Sequence, residues 1–249
     1  MHPTALMNAK LFFDNYVMSL DNPTIVDLGA MDVNGSIKSV VPTHARYVGV
    51  DLVPGRGVDI VIDDPYSLPF QTESVDVIVS SSCFEHSEFF WVLFLEIMRV
   101  LKRGGLFYLN VPSNGPFHKY PVDCWRFYPD SGNALVNWSI KNNIDALLLE
   151  SYVFNQHGDI WNDYVCVILK DKSYVNKHNN RIINNTHFIS NGISYPDYKM
   201  IANYQEATED MRLLQISPRI VRFAVKLNFF LRRIRNTFFQ VRKEINTTK

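Results

Sequence analysis

The sequence predicts an α/β fold: a doubly wound, mostly parallel seven-stranded sheet with an antiparallel edge hairpin, followed by a helical C-terminal extension. Three observations carry this expectation. Short apolar runs ending in Gly, Asp or Ser alternate with stretches of helical period, the pattern of βαβ units around a parallel sheet. A turn of small and acidic residues follows the first such run, where open α/β sheets take ligands. Two longer apolar runs are then separated by His157-Gly158-Asp159, a turn signal for a hairpin.

The elements follow in order. Between Ala5 and Leu20, Leu6, Ala9, Phe12, Phe13, Tyr16, Val17 and Leu20 recur at helical spacing, and Asp21-Asn22-Pro23 stops the helix. Thr24–Leu28 reads as a buried strand ending at Gly29, and Ser36–Val41 as a short helix before Pro42. Tyr47–Asp51, Val58–Ile62 and Val75–Ser80 are the next strands. Glu88–Leu101 is an apolar-faced helix closed by Lys102-Arg103-Gly104-Gly105, and Leu106–Val111 is the fifth strand. A helix over Ser131–Asn142 precedes the hairpin strands Ala146–Phe154 and Trp161–Leu169. From Asp171 the composition turns to Asn and loop formers, so the expected division is a domain over 1–170 and an Asn-rich linker with a helical extension over 171–249.

Bulk properties narrow the function. With 47% hydrophobic residues, 20% charged residues and a net charge of +0, the chain has the profile of a globular protein without a polyanionic partner, and no nucleic acid is expected. Cys83, Cys124 and Cys166 are too scattered for a disulfide framework or a CxxC site, so no metal is expected and a reducing cytoplasm fits. Lys10, Asp14 and Asn15 interrupt the first apolar stretch, unlike a signal peptide, and no window reaches the roughly 18 apolar residues of a spanning helix.

The first strand leads into Asp27-Leu28-Gly29-Ala30-Met31-Asp32-Val33-Asn34-Gly35. Gly29 and Ala30 let a ligand approach the backbone, and Gly35 relaxes the turn. Taken alone, a tight ligand-free turn fits equally well. Asp51 ends the next strand, where dinucleotide folds place a carboxylate for ribose hydroxyls, with Leu52 beside it. Met31 stands where a nicotinamide-binding fingerprint has its second Gly, which argues against an oxidoreductase.

Later motifs add order and spacing: Leu68-Pro69-Phe70, Asp76-Val77-Ile78-Val79-Ser80, Glu85-His86 and Arg99-Val100-Leu101-Lys102-Arg103-Gly104-Gly105. On these residues the segment from Ile25 to Pro112 resembles the class I S-adenosylmethionine-dependent methyltransferases. The resemblance implies S-adenosylmethionine as cofactor. It places Asp27 near the methionine end, Gly29 and Ala30 along the backbone path, Asp51 and Leu52 at the ribose, Asp64 or its neighbour Asp63 at the adenine amino group, and Ser81 or Ser82 beneath the methyl group. Met31-Asp32-Val33 departs from the commoner Gly-x-Gly continuation.

Methyl transfer from a sulfonium is an in-line displacement, and a base is needed only if the acceptor loses a proton. His86 stands at the rim of the expected site and is a candidate base; capping the following helix is the alternative. Pro116–Pro129 is rich in aromatic and ionisable groups. It resembles the His-x-Tyr-Pro-x-Asp-x-Trp-Arg-Phe stretch of a bacterial subset of these enzymes, some of which serve glycan or natural-product assembly. His118 and Asp123 join His86 as catalytic candidates, and Tyr120, Trp125 and Arg126 are candidate substrate-binding residues. An Asp123–Arg126 structural pair, with Trp125 packing the loop, is the competing reading.

Ile220, Leu227, Ile234 and Val241 recur every seven residues beside basic side chains. Residues 220–243 are thus expected to form a basic amphipathic helix that lies on an anionic membrane surface, pairs with a second subunit, or packs on its own domain. Together these readings describe a cytoplasmic enzyme, free or peripheral to the inner face of a membrane, that methylates a small-molecule or glycan acceptor, with oxygen favoured. Nitrogen or carbon methylation and a catalytically silent scaffold are the alternatives.

Overall fold

The computed structural model describes residues 2–208 continuously and scattered positions between 211 and 228. Met1–Tyr204 forms one compact unit, and Gln205–Lys249 is assigned to a second. The first unit is an eight-stranded sheet. Its strands are β1 (Thr24–Leu28), β2 (Arg46–Asp51), β3 (Ile60–Val61), β4 (Val75–Ser81), β5 (Leu101–Pro112), β6 (Ala146–Phe154), β7 (Asp163–Lys170) and β8 (Ile189–Ser194). They lie in the order β3-β2-β1-β4-β5-β7-β6-β8. The first five are parallel, and β7, β6 and β8 are antiparallel.

Both faces are covered, which is why the strands read as continuous apolar runs. On one face α2 (Phe90–Val100) and α3 (Ser131–Lys141) press Phe94, Ile97 and Leu135 onto Val26, Ile78, Phe107, Leu109 and Cys166. On the other, α1 (Pro3–Phe12) and a π-helical turn over Phe13–Val17 bring Phe12, Phe13 and Tyr16 against Ile25, Val77, Tyr108 and Val167. Alternate residues of one strand serve opposite cores, as the two-residue period requires.

Several elements differ from expectation. The helix between β1 and β2 is a single 3-10 turn, Ile37–Val40, opened by the Ser36 side chain accepting from the Lys38 N–H. Lys102–Gly105 does not form a loop; β5 begins at Leu101, directly after α2, and its pairing with β4 shifts register between Val75 and Val77. Gly104, at φ 81°, and Gly105, where a Cβ would stand 2.9 Å from the Asp76 carbonyl oxygen, allow this irregular start.

The larger difference lies beyond residue 170. The β6–β7 hairpin is not the sheet edge, because β8 pairs with β6 outside it, and the boundary expected at 170 falls within the compact unit. Buried Glu150 explains the attachment. Its carboxylate accepts the Tyr16 hydroxyl at 2.5 Å and the N–H groups of Ile182 and Ile183 at 2.8 and 3.0 Å, joining the N-terminal segment to the returning chain. Ile182, Ile189 and Ile193 are buried. Asn191, one of the asparagines that suggested a linker, lies inside β8 at φ 52°, where the pairing of β8 with β6 shifts register. No helix among the described residues is long and apolar enough to cross a membrane. The helix expected over 220–243 lies largely outside the described residues.

Candidate active site

Strand order reverses at β1, which has β2 on one side and β4 on the other, so the crevice for a ligand opens beyond the carboxyl ends of these strands. The turn after β1 is held there by its backbone. Gly29 and Ala30 donate their N–H groups to the Val50 carbonyl at 3.0 and 3.1 Å. Gly29 has φ 82°, and a Cβ on it would come within 2.9 Å of the Cys83 Cβ. The departure at Met31-Asp32-Val33 is closed by a cross-link: Asp32 accepts the Gly35 N–H at 2.8 Å and pairs with Arg56 at 2.9 Å.

Asp51 accepts the Met31 N–H at 3.1 Å and the Leu52 N–H at 2.7 Å. A carboxylate offers about four lone-pair positions, so it retains acceptor capacity. Asp27 is buried and accepts the Tyr47 hydroxyl at 2.6 Å. Burial pushes its carboxyl up to about 7, against the Tyr47 hydrogen bond and with a smaller push from Asp51. Asp63 and Asp64 are exposed, and Asp64 accepts the Tyr66 N–H at 2.8 Å within its own turn. Ser81 is buried at the end of β4, and its Oγ has no hydrogen-bond partner. Ser82, at φ 53°, donates its N–H to the Asn110 carbonyl at 2.9 Å.

The loop after β5 is held by side chains. Arg126 grips Asp123 in a fork, Nη1 to Oδ1 at 2.6 Å and Nη2 to Oδ2 at 2.9 Å, and also donates to the carbonyls of Trp125 and Pro116. The guanidinium holds the Asp123 carboxyl down at about 2. Asp123 also accepts the His118 N–H at 2.7 Å, and its Oδ2 lies 3.5 Å from His118 Nδ1. The Tyr120 hydroxyl approaches Met31 Sδ at 3.8 Å, so this loop reaches the turn after β1. Trp125 donates its indole N–H to the Ser87 carbonyl at 2.9 Å and packs edge-on against Phe90 and Trp91 of α2.

His86 and His118 meet edge-on with ring centroids 4.9 Å apart. The Val122 carbonyl, which can only accept, lies 2.5 Å from His86 Nδ1, so Nδ1 carries the proton and Nε2 is the free acceptor. Burial lowers the affinity of His86 for a second proton. Glu85 is 1% exposed, and one of its carboxylate oxygens has no hydrogen-bond partner. Burial pushes its carboxyl up to about 8. One donor atom each from Glu85, His86 and His118 lies within 4.8 Å of the others, a grouping the sequence reading, which expected no metal, did not foresee.

Sequence reasoning also passed over Trp161, whose ring stands 5.1 Å from His118, and the buried pair Asn110 and Asp163, joined at 3.2 Å. Glu85 belonged to the quoted Glu-His motif, but neither its burial nor its meeting with a residue over thirty positions away is visible in a linear pattern.

Comparison with known proteins bears on this geometry. Residues 27–109 match the family model described as a methyltransferase domain. No curated protein sequence matches the chain significantly. Among solved structures, the chain is similar to the 1,6-didemethyltoxoflavin-N1-methyltransferase of Burkholderia thailandensis, solved with 1,6-didemethyltoxoflavin and S-adenosylhomocysteine, at TM-score 0.53 and 16% identity over 68% of this chain and 79% of that one. It is also similar to YcgJ of Bacillus subtilis, at TM-score 0.50 and 13% identity over 69% and 100% of the two chains. At such identities the structural likenesses speak for the fold. The matched domain spans β1 to β5 with the ordered motifs lying along it, so residues 27–109 form a methyltransferase domain on the fold of these structures.

Proposed function

We propose that the chain methylates a hydroxyl oxygen of a small-molecule or glycan acceptor. The observation that supports this is the meeting of Glu85, His86 and His118 at the rim of the sheet, backed by Asp123. S-adenosylmethionine supplies an activated methyl group. Asp27 faces the methionine end, Gly29 and Ala30 line its path, Asp51 and Leu52 take the ribose, Asp63 or Asp64 meets the adenine, and Ser81 and Ser82 lie beneath the reacting methyl. The spare acceptor capacity of Asp51 and the unpartnered Oγ of Ser81 fit a hydroxyl-bearing, amine-bearing ligand.

The acceptor hydroxyl gives its proton to the Glu85–His86–His118 group as its oxygen bonds to the methyl carbon. The carbon–sulfur bond breaks with its electron pair on sulfur, leaving S-adenosylhomocysteine and a methyl ether. Asp123 serves by position: its salt bridge to Arg126 leaves it too weak a base to take this proton, while its contact with His118 orients the ring. Tyr120, Trp125 and Arg126 shape the acceptor side. The chain is read as working in the cytoplasm, with contact to a membrane or a second subunit through residues 220–243.

Incubation with methyl-labelled S-adenosylmethionine and a panel of hydroxylated glycosides, with NMR assignment of the labelled atom, tests the reading. A methyl ether is the expected product. Labelling of nitrogen or carbon, on matched acceptors offering both, would overturn it.

A further inference from the structure

We propose that Glu85, His86 and His118 form a binding site for a divalent first-row transition ion. Three observations converge. One donor atom from each residue lies within 4.8 Å of the other two. Glu85 is 1% exposed, with a carboxylate oxygen that finds no partner in the protein, an arrangement that costs free energy unless something satisfies it.

The outer contacts of both rings are those of metal-ligating imidazoles, whose second nitrogen is held by a carbonyl or carboxylate. His86 Nδ1 is bound to the Val122 carbonyl, which leaves Nε2 on the side of Glu85, 3.7 Å from Oε1, while the unpartnered oxygen of that carboxylate is Oε2. His118 Nδ1 lies 3.3 Å from the Pro116 carbonyl and 3.5 Å from both Asp123 Oδ2 and Arg126 Nη2, the guanidinium being itself paired with Asp123.

Two imidazoles and one carboxylate suit Mn²⁺, Fe²⁺, Co²⁺ or Zn²⁺ rather than Mg²⁺ or Ca²⁺, which take oxygen ligands. With bonds of about 2.1 Å such an ion draws its ligands to about 3–3.5 Å apart, a contraction that His118, on a partly exposed loop, can supply. Three protein ligands leave coordination positions open. An ion held there would acidify a bound hydroxyl, whose proton would then pass to solvent water, with Glu85, His86 and His118 serving as ligands in place of the proton-accepting role given them above. That role rests on the oxygen-acceptor reading above; ion binding does not.

The test is titration of chelator-treated protein with Co²⁺, followed by visible absorption, and with Mn²⁺ and Zn²⁺ by calorimetry. One ion per chain is expected, without the thiolate-to-cobalt charge-transfer band that Cys83 or Cys124 would produce. His118→Ala and Glu85→Gln are expected to weaken binding at least tenfold. The exposed loop position of His118 keeps its variant informative if Glu85→Gln fails to fold, with circular dichroism reporting the fold. Absence of saturable uptake by the wild type, a thiolate band, or unchanged affinity in a folded His118→Ala variant would each overturn the site. Ion binding without any methyl ether would sink the oxygen-acceptor reading and leave the site standing.

Discussion

The turn after β1 and the loop after β5 face the same end of the sheet, yet they are held by different means. The first is fastened through its backbone N–H groups: Gly29 and Ala30 donate to the Val50 carbonyl, and Met31 and Leu52 donate to the Asp51 carboxylate. The second is fastened by side chains, with the Asp123–Arg126 fork clasping Pro116, His118 and Trp125. A backbone turn depends on which residues tolerate its dihedral angles. A side-chain clasp depends on charges that meet only after folding. The proposed donor and acceptor sides should therefore fail differently when mutated.

Gly29→Ala carries the largest expected effect. A Cβ at φ 82°, 2.9 Å from the Cys83 Cβ, combines backbone strain with overpacking and should cost about 2–4 kcal/mol. Denaturant unfolding should show the loss, and calorimetry a drop in S-adenosylhomocysteine affinity of at least tenfold. Near-native values for both would break the backbone account of the turn.

Asp123→Ala should come next, at about 2–4 kcal/mol, because it leaves Arg126 without its partly buried partner. Hydrogen exchange should rise over residues 113–130 while S-adenosylhomocysteine affinity stays within about threefold. A large loss of that affinity would show that the two sides are one cooperative unit.

Asp51→Asn keeps the shape but removes the charge and half the acceptor capacity. A fall of about tenfold in S-adenosylhomocysteine affinity, near 1.4 kcal/mol, is expected with little change in melting temperature. An unaltered affinity would remove Asp51 from the ribose.

The last prediction concerns pH. The folded Asp27 carboxyl titrates at about 7, above its ordinary value. Its contribution to stability is therefore full below about 4 and is lost as pH rises through about 7, since the unfolded chain ionises it first. A cationic methionine end favours the ionised form, so ligand affinity should rise several-fold across the same interval. Asp27→Asn should flatten both trends, and profiles unchanged by it would remove Asp27 from that position.

This contrast also explains what the sequence revealed. Strand ends, Gly29 and Asp51 were legible because a short backbone turn is specified by neighbouring residues. Ala146–Phe154 emerged with its expected bounds because its apolar residues, on either side of Glu150-Ser151, belong to a strand buried on both faces. The start of β5 at Leu101 was hidden because Gly-Gly after a helix reads as a stop. β8 was hidden because Glu150, the group that anchors the preceding segment, is a polar residue whose partners lie more than thirty positions away in both directions. Around the loop after β5, His86 and His118 could be named singly, but their adjacency to one another and to buried Glu85 could not.

The eighth strand has a consequence for how this protein keeps its own company. Without Ile189–Ser194, the outer backbone of β6 would stand open beside an apolar hairpin, a template on which another chain can dock strand to strand. The asparagine-rich return thus acts as the selvedge of the sheet, and a chain shortened to residue 170 would be expected to lose solubility before the turn after β1 lost its backbone bonds.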